Sequence, residues 1–382
     1  MRHLAPLLLL TGCWKLESSE FVTEHFPYNP DVGAPEGWVI DRQEMDLRCP
    51  DGETAAFYLI YPEDKAAPPD QQRERLPLAL IFHSGTFDFI SLPRPEAPTV
   101  GKSYQEIRGE TKRITAPWAI DRIYATLGMY VNDDGIEYHV GALPAALATK
   151  GIAMMMPENC WGDWWHNRES VEENNFQADY YFRNGRTAAE FAFLHATTAF
   201  PPGNPVDLPF GVDPERIYLI GLGEGTRAVS ELLSLREDLG GTPGSFLYRP
   251  SAIVLDSPTD DLRPFYDITG EAYESIRSGL NRIFPGGRDT VMRGTLAFAQ
   301  LGNVPDRTAM LYSANDTQIP AGANDLALAH LAQKGSADMW HYRSILPEHV
   351  LSNADPSLAK AIADYLVDGV EAVPAAYLTP VE

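Results

Sequence analysis

The order of apolar and polar positions along the chain predicts an alternation of strands and helices. Short apolar runs typical of strands buried in a sheet occur at 55–61, 76–82, 152–156, 216–220, 251–255 and 308–312. Apolar residues at helical spacing predict helices at 140–150, 185–199, 226–236, 324–333 and 356–367. We expect Gly151 to end the first of these helices and Asn324 to cap the start of the fourth. Strands that alternate with helices indicate an α/β fold, with a mostly parallel sheet and helices on both faces.

Two long segments interrupt this alternation. Residues 86–138 and 159–184 each follow a predicted strand and are far longer than an ordinary connection between a strand and a helix. Open α/β sheets bind ligands at the carboxyl ends of their strands, so we predict that both segments are cap-like insertions over a pocket. The second is rich in aromatic residues, and we expect Trp161, Trp164 and Trp165 to contribute to ligand binding. The alternative is that both are surface insertions without a role in binding.

Composition and charge narrow the classes of function. The 382 residues include 30 Lys and Arg against 53 Asp and Glu, a formal net charge of −23, and 44% of the residues are hydrophobic. These values are typical of a globular protein that is long enough for one large α/β domain or two smaller ones. A surface this acidic repels phosphate, so we predict no nucleic-acid partner. No spacing of His, Cys, Asp or Glu is typical of a metal site, and we predict neither a metal nor a cofactor.

The N-terminus predicts a targeting segment. Residues 1–12 contain one Arg, a run of leucines and small residues before Cys13, which is the layout of a signal peptide. Residues 10–13 (LTGC) resemble the lipobox of bacterial lipoproteins, which implies that Cys13 carries lipid chains and anchors the protein to a membrane of the bacterial cell envelope. Residues 13–44 would then form an N-terminal tether. The alternative is an apolar N-terminus with an incidental cysteine. Beyond residue 10, no apolar stretch approaches the roughly 20 residues that span a bilayer.

The segment from 213 to 225 carries the clearest chemical motif. A predicted strand ends in Gly221-Leu222-Gly223-Glu224-Gly225, and a predicted helix follows directly. This arrangement resembles the nucleophile elbow of the α/β-hydrolase superfamily, G-x-S-x-G, in which flanking glycines avoid a clash in a tight turn. Gly221 and Gly225 match the flanking glycines, and Gly223 occupies the position of the nucleophile.

A segment before the elbow resembles a second landmark of the superfamily. His83, Ser84 and Gly85 directly follow a predicted strand, as does the loop that supplies one N–H of the oxyanion hole. The resemblance implies that Ser84 and Gly85 contribute to this hole together with the N–H of Glu224, which follows the nucleophile position. It also places His83 among the residues that bind the ligand.

Two segments after the elbow complete the order of landmarks. The segment 315–320 resembles the acid-bearing loop, which implies that Asp316 is the acid of a catalytic triad. The segment 347–350 resembles the loop that carries the catalytic base, which implies this role for His349. The resemblance covers residues 45–370 and implies an α/β-hydrolase fold related to serine esterases and peptidases. Residues 371–382 would form a C-terminal tail.

Glycine at position 223 changes the chemistry that the resemblance implies. Acyl transfer by a serine hydrolase needs a side-chain oxygen or sulfur at the elbow to attack the carbonyl carbon, and Gly223 has neither. Glu224 and Thr226 are displaced from the nucleophile position, and Ser84 would need a rearranged site. We therefore predict a lipid-anchored protein without serine-hydrolase activity, which binds a small molecule or peptide with an acyl-type group.

Two alternatives stay open. The protein is an active ester or peptide hydrolase if His349 and Asp316 activate water, or if another residue serves as the nucleophile. It is a nucleotide-dependent oxidoreductase if Gly221 and Gly223 begin a dinucleotide-binding fingerprint. Against the second alternative, the third glycine position holds Thr, and the next acidic strand end, Asp256, comes later than the fingerprint requires.

Overall fold

The structure, a computed structural model, contains a nine-stranded sheet with helices packed against both faces. The described residues are 24–25, 32–33, 37–48, 54–67, 73–82, 129–132, 135–138, 142–157, 208–223, 225–234, 250–258, 261, 263–267, 281, 286–288, 304–316, 319–334, 336–345 and 350–378.

The large sheet has an antiparallel side and a parallel side. Its strands are β1 (Glu24–His25), β2 (Trp38–Arg48), β3 (Thr54–Pro62), β4 (Arg75–Phe82), β7 (Ala153–Pro157), β8 (Gly211–Leu222), β9 (Ala252–Asp256), β10 (Arg307–Ser313) and β11 (Trp340–Ser344), in the order β1-β2-β3-β7-β4-β8-β9-β10-β11. Neighbours are antiparallel from β1 to β7 and parallel from β7 to β11. A separate hairpin of β5 (Met129–Asn132) and β6 (Gly135–Tyr138) lies within the first predicted insertion.

Helices cover both faces of the parallel side. They are α1 (Ala142–Thr149), α2 (Gly225–Ser234), α3 (Pro264–Asp267), α4 (Asp325–Lys334), α5 (Leu351–Ala354) and α6 (Pro356–Asp368). One apolar core contains side chains of α2 and α4, and the other contains side chains of α1, α5 and α6. The mostly parallel sheet between two helical layers confirms the predicted α/β architecture.

The central strands are apolar because both of their faces are covered. Every residue of β4 from Leu76 to Phe82 is buried, and so is all of β9. Side chains alternate between the two cores: Leu78 and Leu80 pack with α2, whereas Ala79 and Ile81 pack on the opposite face with α1. Since β4, β8, β9, β10 and β11 run parallel, their carboxyl ends lie at the same edge of the sheet.

The elements predicted within the described residues are confirmed, with shifted ends. The strand predicted at 216–220 is longer in the structure, because β8 already begins at Gly211. Gly151 ends α1 as expected: its φ is +68°, and its N–H donates to the carbonyl oxygen of Ala148 at 2.9 Å. The helix predicted at 185–199 and the insertion at 159–184 lie outside the described residues.

The predicted capping role of Asn324 is wrong. This residue ends a 3₁₀ turn (Ala321–Asn324) that continues directly into α4, and its buried Oδ1 has no hydrogen-bond partner in the part of the chain that the structure describes. An N-cap residue normally has an extended backbone, which lets its side chain reach back to the first amides of the helix. A helical turn before α4 removes that geometry.

Five of the described strands were not predicted from the sequence: β1, β2, β5, β6 and β11. β2 begins at Trp38, within the residues assigned to the tether, and pairs with β1 and β3. β11 forms an edge of the sheet next to β10. The predicted tail also packs on the domain as far as it is described, because the indole N–H of Trp340 donates to the carbonyl oxygen of Tyr377 at 2.9 Å and Val373 is buried.

Candidate functional site

β8 ends in a tight turn that leads directly into α2. Gly223 has a φ of +54°, in the left-handed region that favours glycine. Its N–H donates to the carbonyl oxygen of Asp256 at 2.7 Å, which joins the turn to the end of β9. Its carbonyl oxygen accepts from the N–H of Thr226 at 3.1 Å and from the Thr226 hydroxyl at 2.6 Å. The strand-to-helix turn expected of a nucleophile elbow is therefore present, with glycine at its apex.

The turn requires glycine at position 221, because the backbone of Thr226 passes very close to it. A Cβ atom at Gly221 would lie 2.5 Å from the Cα atom of Thr226 and 2.7 Å from its backbone nitrogen. Since these are backbone atoms, no rotation of a side chain would relieve the contact. Phe82, the last residue of β4, pairs with Gly221, so β4 also ends beside the elbow. The buried Thr226 hydroxyl bonds within the turn, which agrees with its exclusion as a nucleophile.

Asp316 lies in the loop that follows β10, as expected from the sequence. It is buried, and its Oδ1 accepts from the N–H of Ile319 at 2.9 Å. The preceding loop residues are bonded to the end of β11: the N–H of Ala314 donates to the carbonyl oxygen of Ser344 at 2.9 Å. The side-chain amide of Asn315 donates to the carbonyl oxygen of Ile345 at 2.6 Å. The carboxylate is thus held in a loop that is fixed to the neighbouring strand.

Asp256, at the carboxyl end of β9, is a second buried carboxylate close to the elbow. Its Oδ1 accepts from the N–H of Leu351 at 3.1 Å, and its Oδ2 accepts from the N–H of Ser352 at 2.8 Å. The Asp256 side chain therefore binds the first turn of α5, while its carbonyl oxygen binds Gly223. A carboxylate arranged in this way is occupied by the chain itself, which argues against the ribose-binding role considered for Asp256 in a dinucleotide site.

Ser257 has a strained backbone beside the elbow. Its φ is +56°, and no other non-glycine residue of the described segments has a positive φ. Ser257 directly precedes Pro258. The side chain is fully buried, and its hydroxyl lies 3.4 Å from Oδ1 of Asp256. The N–H of Ser257 donates to the carbonyl oxygen of Leu311 in β10 at 2.7 Å. Strained residues of this kind concentrate at functional sites, so this edge of the sheet is the candidate site.

Of the residues predicted to form the site, the structure describes Gly223 and Asp316. Both lie at the carboxyl edge of the sheet, as predicted. The remaining predicted residues lie outside the described residues: Cys13, His83, Ser84, Gly85, Trp161, Trp164, Trp165, Glu224 and His349. Their roles stay predictions. The described residues on either side of the segment 346–349 are bonded at the same edge, Ile345 to Asn315 and Leu351 to Asp256.

Sequence reasoning missed the role of Asp256 as a link between two elements. An acidic residue at the end of the apolar run at 252–255 was the available signal, because a charge next to a buried strand needs hydrogen-bond donors. The sequence did not indicate that these donors belong to a helix start about a hundred residues away.

The described segments also bear on metal binding and on membrane spanning. They contain no group of three or more His, Cys, Asp or Glu side chains arranged to hold a metal ion. None of their helices combines the length and the apolar character needed to cross a bilayer.

The mostly parallel sheet with helices on both faces agrees with an α/β-hydrolase fold. No protein-family model matches the sequence, and no curated protein sequence matches it. Solved structures with a similar fold include a puromycin-hydrolysing peptidase of Mycobacterium tuberculosis, with 14% identity and a TM-score of 0.48 over 88% of this chain and 40% of that chain. An acylaminoacyl peptidase of Pyrococcus horikoshii has 14% identity and a TM-score of 0.46 over 94% and 43% of the two chains.

A smaller enzyme is similar over nearly its whole length. The lipase/esterase of Lactobacillus plantarum has 14% identity and a TM-score of 0.42 over 84% of this chain and 95% of that chain. The chain described here spans less than half the length of each of the two peptidases. At these identities the likeness concerns the fold.

Proposed function

We propose that this hydrolase-fold protein binds a small molecule or peptide with an acyl-type group at the carboxyl edge of its sheet and does not cleave it by serine chemistry. The observation that carries the proposal is the elbow itself. Gly223 has the left-handed backbone of a sharp strand-to-helix turn, and Gly221 meets the steric demand of that turn. The turn is thus retained at a position where no side-chain atom is available to attack a carbonyl carbon.

The buried carboxylate of Asp316 supports the proposal that this edge of the sheet binds a ligand. Asp316 stays buried with its Oδ1 bonded to an N–H, which keeps a carboxylate in a fixed position beside the sheet edge. A base near this carboxylate would orient a ligand by hydrogen bonding even where no nucleophile is present. The proposal assigns this role to His349.

The test compares the native protein with the Gly223→Ser variant. Both are incubated with a fluorophosphonate probe and with p-nitrophenyl butyrate, and the labelled residue is mapped by mass spectrometry. We expect no labelling and no turnover by the native protein, because the elbow lacks an oxygen. We expect labelling of the variant at position 223. Saturation-transfer NMR with p-nitrophenyl butyrate measures binding, which we expect for the native protein.

A second glycine provides the matched control. Gly151 also has a left-handed backbone, with φ +68° and no atom within 4 Å of a Cβ built on it, but it lies before β7 at the opposite edge of the sheet. Gly151→Ser introduces the same side chain at the same kind of backbone position, and we expect no labelling. Labelling of the native protein, or absence of ester binding by it, would contradict the proposal.

The second candidate function is an active hydrolase with a displaced nucleophile. The Ser257 hydroxyl favours it, because this strained residue directly follows β9, the strand that pairs with β8 next to the elbow. Its full burial is the argument against it, since an ester must reach the attacking oxygen. Fluorophosphonate labelling of native protein at Ser257, lost in Ser257→Ala, would replace the first proposal with this one.

The proposal for location rests on the N-terminal sequence. Residues 10–13 (LTGC) support lipid attachment at Cys13 and an anchor in a membrane of the bacterial cell envelope. Metabolic labelling with palmitate in a bacterial host should mark the full chain, and Cys13→Ser should abolish the label. An unlabelled native protein would exclude the anchor.

A further inference from the structure

We infer that Asp256 is a positioning residue: it fixes the start of α5 against the elbow turn. The inference rests on the proposed function, because it concerns the same site and the base assigned to His349. It goes beyond that proposal by naming a residue that no landmark of the superfamily pointed to in this sequence.

The first observation is the double attachment of Asp256. Its carbonyl oxygen accepts from the N–H of Gly223 at 2.7 Å, and its two carboxylate oxygens accept from the N–H groups of Leu351 and Ser352. One fully buried residue thus joins the apex of the elbow to the first turn of α5. Because Asp256 is fully buried, water cannot replace these hydrogen bonds. A shift of one partner is therefore transmitted to the other.

The second observation is the lack of a local cap on α5. The residue at its N-cap, Val350, makes no side-chain hydrogen bond to the helix. A valine side chain has no atom that accepts a hydrogen bond, so the first amides of α5 need an acceptor from elsewhere in the chain. Asp256 supplies it across 95 residues. The first amides of α5 are consequently bonded to the end of β9.

The third observation is the attachment at the other end of the same segment. The Asn315 side chain donates to the carbonyl oxygen of Ile345, next to Asp316. The described flanks of 346–349 are therefore held separately, one by the acid-bearing loop and one by Asp256. His349 comes two residues before Leu351 in the sequence. We therefore expect a displacement of α5 to disturb the role proposed for His349, and an error of about 1 Å in such geometry costs about a hundredfold in rate.

The test uses the Gly223→Ser variant as a reporter of the assembled site. The rate of fluorophosphonate labelling at position 223 is measured against pH, without and with Asp256→Asn. The amide replaces an acceptor by a donor that faces a backbone N–H, so we expect a fall of about tenfold to a hundredfold and a displaced pH midpoint. The displaced midpoint is the readout that loss of stability alone would not produce in protein that remains folded.

Asp355→Asn is the matched control. Asp355 also accepts from two N–H groups at the start of a helix, α6, through its side chain. Its only described bond to α5 is made by its backbone N–H, which donates to the carbonyl oxygen of Leu351 and is kept in Asp355→Asn. We expect the labelling rate of this control to stay within about twofold of the reporter. Equal effects of Asp256→Asn and Asp355→Asn on rate and midpoint would overturn the inference.

A second readout covers a reporter that is not labelled. In the native glycine protein, the His349 imidazole is followed by NMR against pH and assigned with His349→Gln. Asp256→Asn should shift its titration midpoint, whereas that of His341, whose pKa burial and Arg343 hold below the ordinary value, should not move. An unmoved His349 would overturn the inference.

Two further outcomes are informative. If Asp256→Asn does not fold, Asp256→Ser replaces it in both measurements, because the smaller hydroxyl keeps one acceptor without the donor conflict. If the native protein is itself labelled, the proposed function fails. The comparison of Asp256→Asn with Asp355→Asn is then made on native protein, where it still decides the role of Asp256.

Discussion

Two aspartates at the start of neighbouring helices show how the same bond can have different consequences. Asp355 caps α6 from the position directly before it, and its Oδ1 accepts from the N–H groups of Ser357 at 2.9 Å and Leu358 at 3.2 Å. Asp256 lies at the end of β9 and binds the first two amides of α5, which come 95 and 96 residues later in the sequence. Each amide is bound by one carboxylate oxygen. The first aspartate is half-buried, and the second is fully buried.

The difference lies in what each bond holds together. A local cap ends a helix that would occupy much the same place without it, since α6 is long and buries several apolar side chains. The distant cap fixes a helix of four residues against the end of β9. Such a short helix has little stability of its own, so its place in the molecule depends on that contact. The comparison therefore separates a local device from a tertiary one.

The largest expected effect is on stability. Asp256→Ala leaves two buried amides without acceptors, and we expect it to lower the free energy of unfolding by about 3 kcal/mol. Asp355→Ala removes an accessible cap, and we expect a loss of about 1 kcal/mol. Urea denaturation of both variants measures the two values. Equal losses would show that the distant cap is no more important than the local one.

A smaller effect of the opposite sign is expected next to the distant cap. The Ser352 hydroxyl is fully buried and has no hydrogen-bond partner among the described residues, although the Ser352 amide binds Asp256. Ser352→Ala removes an unsatisfied polar group and keeps the amide, so we expect a gain of about 1 kcal/mol in the free energy of unfolding. The exposed Ser357→Ala in α6 is the control, with an expected change within about 0.5 kcal/mol. A marked destabilisation by Ser352→Ala would mean that the hydroxyl, and not only the amide, holds α5.

The smallest effect concerns pH and the local cap. Burial, together with the hydrogen bond to Asp355 and its charge, raises the pKa of Tyr377 to about 12. Because the folded pKa lies above the ordinary value of 10, this phenol stabilises the fold fully below pH 10, and the contribution disappears as the pH rises toward 12.

Asp355→Asn tests how much the charge of Asp355 contributes to the pKa of Tyr377. Removal of the charge should lower the pKa of Tyr377, although burial keeps it above the ordinary value. Ultraviolet absorbance against pH, with Tyr377→Phe subtracted, measures the change, and Asp256→Asn should leave the Tyr377 titration unaltered. An unchanged titration in Asp355→Asn would show that burial alone sets this pKa.

The same contrast explains how much of the fold could be predicted from the sequence. The apolar runs at 76–82 and 251–255 predicted strands covered on both faces, and Gly151 predicted a helix end because glycine readily adopts the left-handed backbone that it has in the structure. β2 contains charged residues over much of its length, and β11 is an edge strand with polar residues, so neither has the continuous apolar pattern. These two strands are defined by their partners in the sheet.

The residues of the candidate site also differ in whether they could be predicted from the sequence. Gly221, Gly223 and Asp316 were predictable because each belongs to a short motif whose geometry is local. Asp256 and Asn315 were not, because their partners, Leu351 and Ile345, are distant in the sequence and are reached through backbone atoms that every residue possesses.

The left-handed backbone at position 223 also sets the cost of adding a side chain there. An L-residue at a φ of +54° costs roughly 1 kcal/mol or more that glycine does not. We therefore expect Gly223→Ser to unfold more readily than the native protein by about this amount, whatever chemistry its hydroxyl provides. Any reactivity placed at this apex would have to offset that loss of stability.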